Sequence, residues 1–134
     1  MIFVLEDDPI RLEWFRRYCA DIVHTDSPVE GMMLLRKHPN LEGIYLGHDL
    51  GGAPYTRGAD GDGIDMAVAM ANEGLHTKTS VVIHSLNITG SRNMEHALQR
   101  THPKVHRIPF SLLKEIIEDQ YSEIGEGKDA LPPT

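Results

Sequence analysis

Short apolar runs alternate along the chain with longer segments whose apolar residues recur at helical spacing. The first run, Ile2–Leu5, precedes Asp7-Asp8-Pro9, where aspartate and proline are typical of a helix start. The same order of strand and helix is predicted five times. The predicted strands are 2–5, 22–24, 43–47, 80–83 and 105–108. The helices that follow them contain 12–19, 28–37, 64–75, 90–100 and 113–121.

Five such units predict a single α/β domain, a doubly wound parallel sheet with helices on both faces. The runs IFVL and VVI lack polar alternation, which is typical of central strands, whereas the second and fifth runs carry polar residues and are predicted at the edges. The expected strand order is 2-1-3-4-5, a flavodoxin-like arrangement. Ligands of such sheets bind beyond the carboxyl ends of the strands, where the first and third strands part.

The 134 residues are enough for one domain, predicted over 1–121, with a polar tail at 122–134. A net charge of −7 makes duplex DNA an unexpected partner, and no stretch has the length of a membrane span. The single Cys19 excludes an internal disulfide and suits a reducing compartment, so a cytoplasmic location is predicted.

Three acidic residues end predicted strands, namely Asp7, Asp8 and Asp49. Their mutual repulsion requires protons or a cation, and oxygen ligands suit Mg²⁺ or Mn²⁺, with zinc at a mixed histidine–aspartate site as an alternative. The competing interpretation is that Asp7 caps the first helix and Asp8 is solvated.

Two histidines, His48 and His84, each follow an apolar strand by one step. Together with Asp49 they are candidate catalytic residues, because two imidazoles beside a phosphate can act as general base and general acid. Either histidine alone is more typical of a hydrogen-bonded structural residue.

Several neighbours of these residues suit phosphate binding. Ser85 and Asn87 precede a helix start, which favours anions, although Thr89 or Ser91 acting as an ordinary cap is the alternative. The pair Gly51-Gly52 would let backbone approach a phosphate.

In the long loop 51–63, Arg57 is a candidate phosphate contact, and Tyr55 is a candidate for stacking on a base. The acids Asp60, Asp62 and Asp65 lack the rest of a calcium-loop pattern.

With these residues placed, the chain resembles a response-regulator receiver domain over roughly 1–121. The resemblance implies a metal held by Asp7, Asp8 and Asp49, with Asp49 in the phosphoacceptor position and Ser85 in the switch-hydroxyl position. Where receivers carry a lysine, this chain has Ile108, which speaks against ordinary phosphorylation-driven switching.

The chain is more similar to the divergent receiver-like family proposed to process cyclic phosphates and associated with RNA repair. The motifs are LEDD at 5–8, GHDLGG at 47–52, HSLN at 84–87 and IPF at 108–110. Gly47 is a departure, since aspartate is usual there.

The resemblance implies a metal-assisted phosphoesterase acting on a 2′,3′-cyclic RNA end or a small cyclic nucleotide. The alternatives are a signalling receiver phosphorylated on Asp49 and a protein that binds a cyclic nucleotide without turnover.

Overall fold

The computed structural model describes residues 1–19, 21–52 and 56–124. Five strands and five helices alternate in these ranges. The strands are β1 (Ile2–Leu5), β2 (Ile22–Thr25), β3 (Gly43–Leu46), β4 (Val81–Ile83) and β5 (Val105–Arg107). The helices are α1 (Pro9–Tyr18), α2 (Pro28–Lys37), α3 (Gly63–Glu73), α4 (Ile88–Leu98) and α5 (Phe110–Ile124).

The strands form one parallel sheet in the order β2-β1-β3-β4-β5, so the predicted fold and strand order are confirmed. Leu5 pairs with Leu46, and Leu46 pairs with Ile83. The pairing extends one residue further, because the N–H of Gly47 donates to the Leu5 carbonyl at 2.8 Å and that of His84 donates to the Leu46 carbonyl at 3.0 Å. Glu6, Gly47 and His84 therefore form the next row across the sheet.

Alternate residues of the central strands face two separate apolar cores. Phe3 and Leu5 of β1 belong to the core beneath α2, α3 and α4, whereas Ile2 and Val4 belong to the core beneath α1 and α5. The edge strands β2 and β5 are less buried, as predicted. Burial on both faces holds the central strands rigidly, so their carboxyl ends offer a fixed frame for a site.

Several element ends differ from the predicted ones. Strand β3 stops at Leu46 instead of Gly47, and α4 begins at Ile88 instead of Gly90. Helix α5 continues to Ile124, three residues past the predicted domain limit, while residues 125–134 of the predicted tail lie outside the described residues. Within the described ranges, no helix is both long and apolar enough to cross a membrane.

Candidate functional site

A cavity of about 230 Å³ opens at the carboxyl ends of β1, β3 and β4. We call it the strand-end pocket. It is lined by Glu6, Asp7, Asp8, Pro9, Arg11, Gly47, His48, Asp49, Gly52, Ser85, Leu86 and Asn87. Most of the side chains selected from the sequence therefore converge on one pocket, as the strand order predicts.

A hydrogen-bonded network forms the wall of the pocket beyond β3. His48 Nδ1 lies 2.7 Å from Asp49 Oδ1, and the Asn87 side-chain amide donates to the same oxygen at 3.2 Å. Asn87 also caps α4, since its Oδ1 accepts from the Gly90 N–H at 2.9 Å. The alternative interpretation, a cap at Thr89 or Ser91, is wrong, because Asn87 is the residue that caps the first turn of α4.

The ring of His48 lies against the backbone of α4. A Cβ on Gly90 would come within 2.7 Å of the ring atoms Cγ and Cδ2, so this approach requires glycine. The side chain of His48 is only 13% exposed. The Asp49 carboxylate and the α4 backbone together hold the imidazole in one orientation at the pocket wall.

The two aspartates that follow β1 are both engaged by backbone groups. Asp8 is the cap of α1, accepting from the Ile10 N–H at 2.8 Å, so the competing interpretation, in which Asp7 is the cap and Asp8 is solvated, is wrong. Asp7 Oδ2 instead accepts from the Gly52 N–H at 2.6 Å. Gly52 has a φ of +86°, a conformation that glycine adopts without strain.

Gly51 does not line the strand-end pocket but a neighbouring cavity. A Cβ there would lie 2.4 Å from the Thr56 side chain and 2.6 Å from the Arg57 carbonyl oxygen. The glycine is therefore required by the packing of its own loop. Of the glycine pair predicted to let backbone approach a phosphate, Gly52 lines the strand-end pocket and Gly51 does not.

The three aspartates offer suitable ligand atoms for a divalent cation, but these atoms are not gathered around one point. Asp7, Asp8 and Asp49 all line the pocket and offer the oxygen ligands that hard cations prefer. Among the residues that the structure describes, the one group of three with ligand atoms within 4.8 Å of one another is His48, Asp49 and Asp62. Asp62 is buried, and its Oδ1 accepts from the N–H groups of Leu50 and Gly58.

His84 lies beneath the pocket and does not line it. Its side chain is 0% exposed and packs between Phe15 and Phe110, at ring-centroid distances of 5.3 and 6.3 Å. Neither ring nitrogen has a hydrogen-bond partner among the described residues. In this position His84 does not touch a ligand in the pocket, so the geometry does not support direct proton transfer from it.

Glu6 is the neighbour of His84 and was not selected from the sequence as a site residue. Its Oε1 lies 3.6 Å from His84 Nδ1, and a Cβ on Gly47 would lie 3.5 Å from His84 Cε1 and 3.8 Å from Glu6 Oε1. Burial raises the pKa of Glu6 to about 7 despite the N–H of Asp8 and the Arg11 charge, and burial lowers the pKa of His84 to about 3. Both directions favour an uncharged Glu6–His84 pair, of which Glu6 lines the pocket and His84 does not.

The loop after Gly52 places its charged residues away from the strand-end pocket. Arg57 is 65% exposed, pairs with Asp65 at 3.2 Å and lines the neighbouring cavity. Asp62 and Asp65 form the capping box of α3, and Asp60 accepts from the Ser27 hydroxyl at 2.9 Å. These bonds account for the acids that resemble a calcium loop. Tyr55 lies outside the described residues.

A further pocket residue, Arg11, was missed in the sequence. Arg11 lies three residues after the Asp8 cap, on the face of α1 that lines the pocket, and helical spacing alone could have indicated it. Asp62 does not line the pocket, and its proximity to His48 and Asp49 was not foreseen, since no periodic pattern relates the start of α3 to the end of β3.

Comparisons with known proteins agree with the fold. The model of the family described as "Cyclic-phosphate processing Receiver domain" matches residues 1–100. The phosphorylated cyanobacterial phytochrome response regulator RcpA is structurally similar, with a TM-score of 0.61 and 19% identity over 98% of this chain and 97% of that one. The receiver domain of the Francisella response regulator 1452 has a TM-score of 0.54 and 17% identity over 91% and 96%. No curated protein matches the sequence significantly.

Proposed function

The chain belongs to the family of cyclic-phosphate processing receiver domains, and we propose that its strand-end pocket binds a cyclic phosphate ester and hydrolyses it. The observation that carries this proposal is the 2.7 Å contact between His48 Nδ1 and Asp49 Oδ1 at the pocket wall. A carboxylate that binds one ring nitrogen fixes the tautomer and leaves the other nitrogen able to take a proton.

The reaction is the opening of a cyclic phosphodiester by water. His48 accepts a proton from water as the water oxygen bonds to phosphorus and the bond from phosphorus to one ribose oxygen breaks. The released oxygen takes a proton from the imidazolium or from solvent, because His84 is enclosed beneath the pocket. General base help of this kind is worth roughly 10²–10⁴-fold in rate.

The other pocket residues bind and orient the phosphate. The Ser85 hydroxyl accepts from the Asn87 N–H at 3.1 Å and keeps its own proton to donate to a phosphoryl oxygen. Asn87 holds Asp49 against His48. Asp7, Asp8 and Asp49 would hold Mg²⁺ or Mn²⁺, which when bound draws negative charge off the phosphoryl oxygens.

A second candidate is a signalling receiver in which Asp49 accepts a phosphoryl group. It is favoured by the fold, since the two structures compared above are response regulators, and by Ser85, which follows β4 as Asp49 follows β3. Two side-chain observations oppose it. Ile108, which stands where receivers carry lysine, packs against the core beneath α1 and α5, and the acceptor carboxylate is hydrogen-bonded to His48 and Asn87.

Phosphorus NMR tests the proposal. We expect the full chain to open 2′,3′-cyclic AMP or 3′,5′-cyclic AMP with Mg²⁺ or Mn²⁺, and we expect chelator or Asp49→Asn to abolish the reaction. Incubation with acetyl phosphate, followed by intact-mass analysis, is the parallel arm. If acetyl phosphate phosphorylates the wild type but not Asp49→Asn, and neither nucleotide is opened, the proposed hydrolysis is wrong and the signalling function is supported. If the nucleotide binds but is not hydrolysed with either metal, the function is that of a cyclic-nucleotide-binding protein.

A further inference from the structure

We infer that Arg11 is the residue that binds the phosphate group through its guanidinium, a role that rests on the proposed phosphate ligand of the strand-end pocket. Arg11 lies in the first turn of α1 and is 27% exposed at the pocket wall. It is the one lysine or arginine among the described residues that line this pocket. The guanidinium is planar and presents five N–H donors in a fork that matches phosphate oxygens.

The donors of Arg11 are not consumed by the protein. Its nearest carboxylate oxygens are Glu6 Oε2 and Asp8 Oδ2, each at 3.8 Å, which is beyond hydrogen-bond length. Glu6 Oε2 already accepts from two backbone N–H groups, and the other oxygen of Asp8 caps α1. Across the described ranges, no hydrogen bond to the Arg11 side chain is present. The guanidinium is thus in ion-pair range of two carboxylates, but no hydrogen bond within the described residues occupies its N–H donors.

An aromatic ring positions the side chain without using those donors. The guanidinium carbon lies 5.6 Å from the centre of the Phe110 ring, a cation–π distance. Phe110 is itself fixed, because its N–H donates to the His84 carbonyl at 2.8 Å and its ring packs at 5.1 Å from Trp14. Contact with a ring face holds an arginine in place while its N–H edges remain free to bind an anion.

Charge in the pocket requires such a cation. Four carboxyl groups line it, those of Glu6, Asp7, Asp8 and Asp49, and a phosphate would be repelled by any of them that is ionised. Among the described lining residues, Arg11 is the one side chain that is always positively charged, and it can oppose this repulsion together with a bound divalent metal. Arg57, the arginine selected from the sequence, instead pairs with Asp65 beside the neighbouring cavity.

The test is titration calorimetry of the full chain with inorganic phosphate in the presence of Mg²⁺. We expect Arg11→Gln to weaken binding roughly 10- to 100-fold, the loss typical of a hydrogen-bonded charge pair, and Arg11→Lys to lose less because the charge remains. Arg17→Gln is the matched control, since Arg17 is on the same helix, contacts a ring at 5.9 Å and lies outside the pocket. Its affinity should equal that of the wild type.

Circular dichroism of each variant verifies that its fold is retained. Affinity of Arg11→Gln within twofold of Arg17→Gln would overturn the role of Arg11, as would the absence of phosphate binding by the wild type at millimolar concentration. If phosphate binding depends on Arg11 but the protein opens no cyclic nucleotide, the role of Arg11 is supported and only the proposed hydrolysis is contradicted.

Discussion

The ends of β3 and β4 look alike in sequence but differ in the structure. Each strand is an apolar run followed closely by a histidine, yet His48 forms a wall of the pocket and His84 lies buried beneath it. His48 has a carboxylate partner at 2.7 Å, whereas neither nitrogen of His84 has a hydrogen-bond partner among the described residues, the Glu6 carboxylate being 3.6 Å away. One strand end thus offers a polar group to a ligand, and the other keeps one inside the core.

The sheet periodicity explains the difference. Side chains alternate between faces, and His84 directly follows Ile83, so it falls on the same face as Val82, beneath α1 and α5. His48 comes two residues after the last strand residue, Leu46, and falls on the opposite side, against Gly90 of α4. A shift of one residue relative to the strand end therefore separates a pocket residue from a core residue.

The largest effect that tests this contrast is on catalysis. We expect His48→Gln to lower the rate of cyclic-nucleotide opening roughly 10²–10⁴-fold, because glutamine can bind Asp49 but cannot serve as a base near neutral pH. His84→Leu, a change of similar volume, should retain the rate within about tenfold, since His84 touches no pocket ligand. Initial rates at saturating nucleotide measure both variants. A greater loss in His84→Leu, with its fold intact by circular dichroism, would contradict the comparison.

The fold was predictable because it depends on periodic features. Continuous apolar runs, helix starts and edge polarity determine the strand order, and the strand order brings Asp7, Asp49 and Asn87 to one rim. The directions in which the His48 and His84 side chains point were less predictable than the strand order. With β3 predicted to end at Gly47, both histidines were placed one step beyond a strand, and only the observed end at Leu46 separates them.

Contacts between residues far apart in sequence were also beyond prediction. That Asp8 rather than Asp7 caps α1 depends on the bond between Asp7 and Gly52, which joins two segments separated by 45 residues. Arg57 carries the charge that a phosphate site requires, but its pairing with Asp65 depends on the course of a loop without periodic pattern. Loop contacts of this kind leave no periodic signal in the sequence, so neither pairing could be predicted from it.

The second prediction concerns the dependence of stability on pH at the buried pair. Burial lowers the pKa of His84 from 6.5 to about 3, so only the unfolded chain binds that proton, and stability is lost as the pH falls below 6.5. Burial raises the pKa of Glu6 from 4.5 to about 7, so the native state retains a proton that the unfolded chain releases, and stability is lost as the pH rises from 4.5 to 7.

The two effects oppose each other between pH 4.5 and 6.5, and single variants should separate them. His84→Leu leaves the Glu6 contribution, so relative to the wild type its stability should fall as the pH rises through this range. Glu6→Gln should show the opposite slope. Each slope is at most about 1.4 kcal/mol per pH unit. Urea unfolding at half-unit pH steps measures both, and parallel slopes for the two variants would show that the pair is not buried and uncharged.

The smallest expected effect lies at Asn87, which joins the pocket wall to α4. Asn87→Ala loses both the cap and the amide bond to Asp49, and should cost about 1 kcal/mol for the cap and about 0.5–1.5 kcal/mol for the bond. Asn87→Ser retains a capping oxygen and should lose only the contribution of the amide bond to Asp49. Ser27→Ala removes the cap of α2, away from the strand-end pocket, and is the matched control. It should lose only the free energy that a cap contributes. Free energies of unfolding in urea separate the three variants, and an equal loss for Asn87→Ala and Asn87→Ser would mean that the cap contributes nothing at this strand end.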